Sequence, residues 1–362
     1  MADLIRPAES GDVAAVVVGA GQAGLSSSYF LRRFDVPHVV LDADPGPGGA
    51  WQHRWPTLTF DGVHGLHPLP GMGVPPVDPA RPAAEVVAEY YGAYERQLGV
   101  PVRRPVRVRA VRSLPDGRLA VDGDAGTWTT RALVNATGTW RKPFWPRYPG
   151  MATFAGRQLH TADYRGPGEL AGAHVVVVGG GSSAVQLLAE ISAVATTTWV
   201  TRRPPVWLEP PWTEDVGRRA VALVEQRVGA GRPPASVVSV TGLGLTPDVA
   251  AARDRGVLQR HEMFARIVPD GVLWADGRFV RADVILWATG FRAALDHLAP
   301  LRLRERGGGI RLDGTRVVKD PRVNLVGYGP SASTVGANRA GRAAAREVAA
   351  LLRDRTAQPV VA

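Results

Sequence analysis

The stretch VAAVVVGAGQAG, residues 13–24, decides the fold. Val13 to Val18 is apolar and rich in β-branched residues, the composition of a parallel strand buried on both faces. Gly19, Gly21 and Gly24 follow at the spacing of a dinucleotide-binding turn, and Gln22 to Arg33 reads as the next helix. The first glycine allows the tight turn and the second lets backbone approach a diphosphate. The third lets helix and strand pack closely, with the diphosphate on the helix N-terminus. The next strand, His38 to Asp42, ends in an acid 18 residues past Gly24, where a ribose hydroxyl pair would be bound.

The same unit recurs about 160 residues later. HVVVVGGGSSA, residues 174–184, gives a strand, the turn Gly179, Gly181 and Ala184, and a helix over Ser183 to Val194. Its next strand, Thr197 to Thr201, ends in Arg202 and Arg203 instead of an acid. An acid there would repel a 2′-phosphate, whereas guanidinium groups would bind it, so the second turn reads as an NADPH site. With 42 glycines in the chain, about one such turn is expected by chance, so strand, helix and strand-end charge carry the reading.

Elsewhere, Ala83 to Leu98 reads as an amphipathic helix. Val102 to Val111 and Arg118 to Val134 read as short antiparallel strands. Pro- and Gly-rich loops at Pro45 to Gly49 and Pro68 to Pro82 are expected to cover a site. Pro204 to Pro247 is an irregular insert with a helix around Val216 to Val228. Ala337 to Arg353 is a closing helix.

The 362 residues suit two domains on a prior of roughly 150 residues each. No apolar run approaches the ~18 residues of a membrane helix, and the N-terminus has no signal-peptide pattern, so a cytoplasmic protein with no membrane partner is expected. The formal net charge of +10 comes from scattered arginines; only Lys142 and Lys319 are lysines. With no basic stripe interleaved with aromatics, no nucleic-acid partner is expected. Cysteine is absent, which excludes a disulfide relay and thiolate metal sites; no metal site is expected from His, Asp or Glu spacing either.

FAGRQLHTADYR, Phe154 to Arg165, lies just before the second turn, and with GGAW, Gly48 to Trp51, it resembles the class B flavoprotein monooxygenases, the flavin-containing monooxygenase family, in its short bacterial form. AWQHRW, ATGTW and the C-terminal VGYGPSASTVGANRAGR extend the resemblance over essentially the whole chain. It implies an α/β fold with two Rossmann-like dinucleotide-binding domains. The FAD domain would be split, residues 1–165 and 290–362, with the NADPH domain, 166–289, inserted. FAD would be held by Gly19, Gly21, Gln22, Ala23, Gly24, Asp42, Ala43, Gly49, Trp51, Gln52, Trp55, Val108, Ala136, Thr137 and Gly138. NADPH would be held by Gly179, Gly181, Ser182, Ser183, Ala184, Arg202, Arg203, Ala288, Thr289 and Gly290.

The implied reaction inserts one atom of O2 into a small molecule through a C4a-(hydro)peroxyflavin, the protein supplying orientation and a dry site. The fingerprint aromatic is Tyr164, which leans towards N- or S-oxygenation of a soft nucleophile. The animal-type enzymes carry an Asn downstream of GGxW; here no Asn occurs between Gly48 and Asn135, and Phe60 takes its place by spacing. Phe60 and His160 are the candidate catalytic side chains, His160 with an alternative structural role, and His64 and His67 could face substrate. Baeyer–Villiger oxidation, an NADPH oxidase without oxygen transfer, and a non-catalytic dinucleotide sensor remain open. So does the choice of monomer or homodimer.

Overall fold

The computed structural model of the chain describes residues 11–63, 66–208, 214–234 and 242–354. The chain begins a sheet with β1 (Asp12–Val18), β2 (His38–Leu41), β3 (Val102–Arg103), β4 (Val108–Ser113), β5 (Leu119–Gly123) and β6 (Gly126–Asn135). It then builds a second sheet from β7 (Arg157–His160), β8 (His174–Val178), β9 (Thr196–Thr201) and β10 (Arg260–Glu262). A small antiparallel sheet follows, β11 (Arg266–Val268), β12 (Gly271–Leu273) and β13 (Phe279–Arg281), before β14 (Val284–Trp287) returns to the second sheet. Finally β15 (Leu312–Asp313), β16 (Arg316–Val317) and β17 (Val323–Leu325) rejoin the first sheet.

In the first sheet β3, β2, β1, β6 and β17 run parallel in that order. Its central valines, Val16 and Val17, are fully buried on opposite faces, as the unbroken apolar run requires. One face packs on the helices α1 (Gln22–Arg33), α2 (Ala83–Leu98) and, from the C-terminus, Thr334–Arg353. Ser26 to Ser28 of α1 are buried and small, so the C-terminal helix approaches closely: a Cβ at Gly341 would lie 2.6 Å from Ser26 Oγ.

The second sheet has the order β10, β9, β8, β14, β7, all parallel. The helix α3 (Ser182–Ile191) covers one face, and the aromatic cluster of Phe264, Trp274 and Trp287 the other. The insert contributes α4 (Glu214–Gly229) and α5 (Pro247–Asp254); with these, the C-terminal helix becomes α6. Val228 of α4 is buried in the first sheet's core with Leu298 and Tyr328, so this part of the insert leans on the first sheet.

Two expectations are corrected. The strand read as Val102 to Val111 is two strands, because Pro105 has no N–H to continue a ladder and the chain turns there. β3 pairs parallel with β2, β4 pairs antiparallel with β5, and the Val106 amide donates to Asp42 O at 2.7 Å. Arg157–His160, read with residues 1–165 of the first domain, pairs parallel with β14 and belongs to the second sheet. Among the described residues no helix is long and apolar enough to cross a membrane.

Candidate functional site

The two glycine turns stand at the carboxyl ends of their parallel strands, where open α/β sheets bind ligands. At the first, Gly19 has φ of +102°, and a Cβ there would meet Ala136 O at 2.6 Å. The chain then enters α1 through Gly21, which has no side chain to cap the helix. The first intrahelical bond at this end runs from the Leu25 amide to Gly21 O, leaving the preceding helical amides for a ligand. The loop Gly48–Gly49 lies against this turn; a Cβ at Gly49 would be 2.7 Å from Gly21 Cα.

Asp42, 5% exposed, closes the seat. Its Oδ2 accepts the Ala20 amide at 2.5 Å and its Oδ1 accepts the Asp44 amide at 2.8 Å. Burial raises its pKa, opposed by the two amides and by the Arg104 charge. A carboxylate has roughly four lone-pair positions, so Asp42 keeps capacity for a pair of ribose hydroxyls. A cavity of about 800 Å³ opens here, walled by the turn, the Asp42–Asp44 strand end, the Gly48–Trp51 loop, Val106–Arg109, Ala136–Lys142 and Ser331–Ser333.

At the second turn, a Cβ on Gly179 would lie 2.1 Å from Ala288 O, and its amide donates to Val200 O at 2.9 Å. Gly181 opens α3 without a side-chain cap, and the Ala184 amide bonds back to Gly181 O. Ser182 and Ser183 are half-buried at this helix start, and Ala184 is fully buried. Arg202 and Arg203 follow β9 with exposed side chains. A third arginine stands at the same strand end: Arg260 donates to Thr201 Oγ1 at 2.7 Å and to Thr201 O at 3.2 Å.

The two chain crossings between the sheets are stitched together. The Ala294 amide donates to Gly138 O and the Phe144 amide to Gly290 O, both at 2.9 Å. Aromatic rings line the junction: Trp140 stacks on Phe291 at 4.8 Å, and His160 meets Phe291 edge-on at 5.0 Å.

A family model described as pyridine nucleotide-disulphide oxidoreductase matches residues 16–219. The solved flavin-containing monooxygenase of Stenotrophomonas maltophilia is 40% identical, with a TM-score of 0.79 over 94% of this chain and 99% of that one. The chain belongs to the flavin-containing monooxygenases of the pyridine nucleotide-disulphide oxidoreductase family. This flavin-dependent monooxygenase therefore takes FAD and NADPH. An indole-3-pyruvate monooxygenase of Oryza sativa subsp. japonica is 26% identical over 85% of this chain and 82% of that protein. A structure of cyclohexanone monooxygenase shares the fold at 17% identity, with a TM-score of 0.68 over 95% of this chain and 89% of that one.

Of the residues expected around FAD in this monooxygenase, the structure brings most together. Gly19, Gly21, Gln22, Ala23, Asp42, Ala43, Gly49, Trp51, Val108, Ala136, Thr137 and Gly138 all line the cavity. Gly24 lies behind the turn instead, against the Gly19 carbonyl. Gln52 turns away and donates to Gly46 O and Gly49 O, holding the loop that carries Trp51. Trp55 is 3% exposed and packs on Tyr164 in the core of the second sheet, with ring centroids 6.3 Å apart, so it does not line the cavity.

The two candidate catalytic side chains also fall outside the cavity lining. Phe60 is half-buried, and its amide donates to Arg81 O at 2.9 Å. Two residues on, Gly62 O accepts from Gln186 of α3, so this loop touches the helix that packs on the second sheet. His160 is 0% exposed, and both ring nitrogens are engaged. Nδ1 accepts the Ala162 amide at 3.1 Å, so Nε2 carries the proton and donates to Gly290 O at 3.1 Å. Burial lowers its pKa, which keeps the ring neutral. The imidazole therefore ties β7 to the second crossing and has no lone pair for proton abstraction. His64 lies outside the described residues. His67 contributes its carbonyl, which accepts from Gln22 Nε2 at 3.1 Å.

Sequence reasoning missed His297, which lines the cavity from the far side. Its Nε2 donates to Asn135 Oδ1 at 2.7 Å, Asn135 donates to Thr137 Oγ1 at 3.0 Å, and Thr137 donates to Ala294 O at 2.7 Å. No local motif marks it, because its partner is 162 residues away. Burial lowers its pKa from 6.5 to about 4, the neighbouring Asp296 opposing weakly. Between those values the unfolded chain binds a proton that the native imidazole does not, so stability rises with pH across this window. The contribution is complete above pH 6.5 and lost as pH falls to 4. Flavin-free protein should thus lose about 1–2 kcal/mol more than His297→Gln between pH 6.5 and 4.5, after allowance for partial solvent access. Urea titrations of both proteins at the two pH values measure it, and parallel losses would refute it.

Proposed function

We propose that this chain is an NADPH-fed, FAD-dependent monooxygenase that oxygenates the sulfur or nitrogen of a small soft nucleophile. The observation that carries the reading is the pair of glycine turns with opposite strand-end charges: Asp42 at one, Arg202 and Arg203 at the other. Without cysteine the chain has no thiol relay to a disulfide, so oxygen is the acceptor that suits two dinucleotides here.

FAD, when bound, supplies hydride acceptance from NADPH and the activation of O2. The chain does the rest. The amides at the start of α1 hold the FAD diphosphate, and Asp42 orients its ribose. The amides at the start of α3 hold the NADPH diphosphate, and Arg202 and Arg203 take its 2′-phosphate. The start of the loop from Pro68 to Pro82 is fixed to the helices of the first sheet. Tyr90 Oη donates to Met72 O at 2.7 Å, Tyr94 Oη to Pro70 O at 2.9 Å, and Asn338 Nδ2 to Pro68 O at 2.8 Å. The paired crossings and His160 fix the angle between the two seats.

The test is a paired substrate comparison. With NADPH, methyl phenyl sulfide should give sulfoxide, whereas cyclohexanone should give little lactone. Lactone as the main product would favour Baeyer–Villiger oxidation, and peroxide without either product would favour an oxidase. The position of Phe60 gives a finer check. Phe60→Asn places an amide donor on the loop beside α3; one added hydrogen bond of about 0.5–1.5 kcal/mol should raise product formed per NADPH about twofold to tenfold. Oxygen-electrode and peroxide assays read that ratio, and an unchanged ratio would remove Phe60 from the account.

A further inference from the structure

Arg54 is a cation of the cavity wall that the FAD and NADPH seats do not use. Its guanidinium carbon lies 5.6 Å from the Trp51 ring centroid and 5.0 Å from that of Trp140. Its Nε is buried and has no hydrogen-bond partner. Of the other wall cations, Arg141 pairs with Asp44, Lys142 with Asp296 and Arg109 with Asp124 at 3.7 Å, while Arg107 is exposed to solvent. Among the described residues no carboxylate pairs with Arg54. A half-buried guanidinium with an unpartnered Nε and no acid is costly, and two ring faces offset only part of that cost.

We propose that Arg54 receives the carboxylate of an acidic substrate, whose apolar body lies along the aromatic wall from Trp140 to Phe291. Both diphosphates already have seats made of helix amides, so Arg54 is a positive charge beyond those needs. The ring it touches, Trp140, is one of a stacked aromatic pair. Trp140 stacks on Phe291 at 4.8 Å, and both rings are half-buried. Such a pair suits an aromatic or aliphatic body, and its Trp140 end carries the fixed cation. A planar guanidinium matches a carboxylate in two-point contact, which a neutral analogue cannot reproduce. The signal in sequence is weak, because Arg54 is one arginine among many and only the fold places both indoles on it.

The inference rests on the oxygenase reading, so its test reads binding rather than turnover. FAD-loaded protein is titrated with phenylthioacetate and with its neutral amide, 2-(phenylthio)acetamide, following the flavin difference spectrum. Wild type should bind the acid roughly thirtyfold more tightly than the amide. Arg54→Ala should abolish that preference while flavin content holds, and Arg54→Lys should retain part of it. Equal affinities in wild type, or no binding of the acid, would overturn the proposal. So would loss of flavin in Arg54→Ala, which would assign the arginine to FAD. A raised NADPH KM with the acid preference intact would assign it to the nicotinamide nucleotide and overturn the proposal equally. Sulfoxide formation from the neutral amide tests the oxygenase reading separately.

Discussion

Gly24→Ala should yield a protein purified without flavin. A Cβ at position 24 would lie 1.8 Å from Gly19 O and 2.9 Å from the Gly19 carbonyl carbon, and both are backbone atoms of the turn. No side chain can swing aside, so α1 must move off β1. That movement withdraws the amides that face the diphosphate and widens a core in which Ala20 and Leu25 are fully buried. Overpacking of this kind costs about 1–3 kcal/mol or more, and the lost ligand removes further stability by mass action. The visible-to-ultraviolet absorbance ratio after purification measures the flavin, and a thermal scan measures the fold. A natural control stands in the second turn. Ala184 occupies the equivalent position, where the chain accommodates a fully buried Cβ. Ala184→Gly should therefore keep NADPH use and lose only about 1 kcal/mol of helix stability. Full flavin occupancy in Gly24→Ala would show that close packing of helix on strand does not set the first seat.

The double change Arg202→Ala with Arg203→Ala should raise the KM for NADPH about thirtyfold to a hundredfold and that for NADH less than about threefold. Each charge-assisted bond to a phosphate contributes about 1.5–3 kcal/mol, reduced here because both side chains are exposed and screened. The only chemical difference between the two donors is the 2′-phosphate, so the effect should appear in their ratio. It should shrink with rising salt. Arg260 is held by Thr201 at the same strand end and should preserve some residual preference. Equal changes in the two KM values would detach these arginines from the phosphate.

The parts of the fold legible in sequence are those fixed by local rules. The helix over Gln22 to Arg33 and the strand over His174 to Val178 have the bounds that their glycine and valine runs imply. Ala83 to Leu98 ends at Gly99, in the left-handed conformation that stops a helix. Pro105 could have revealed the break between β3 and β4, since a residue without an N–H cannot extend a ladder. Other features depend on distant partners. Trp55 belongs to the second core because its loop crosses between sheets, and a tryptophan in a loop has no period to betray that. His160 is spent on Ala162 and Gly290, the latter 130 residues away. His297 and Arg54 acquire meaning only when Asn135 and Trp140 are brought beside them.

The difference in strand-end charge between the two turns organises the proposed account, in which one seat is the flavin's and the other NADPH's. Its consequence is transfer of one oxygen atom to substrate for each NADPH consumed. The most direct measurement supplies the purified flavoprotein with NADPH, methyl phenyl sulfide and 18O2, and follows sulfoxide labelling by mass spectrometry alongside NADPH loss. The account predicts sulfoxide carrying one 18O atom, formed in proportion to NADPH oxidised. NADPH oxidation that yields labelled hydrogen peroxide and no labelled sulfoxide would contradict it.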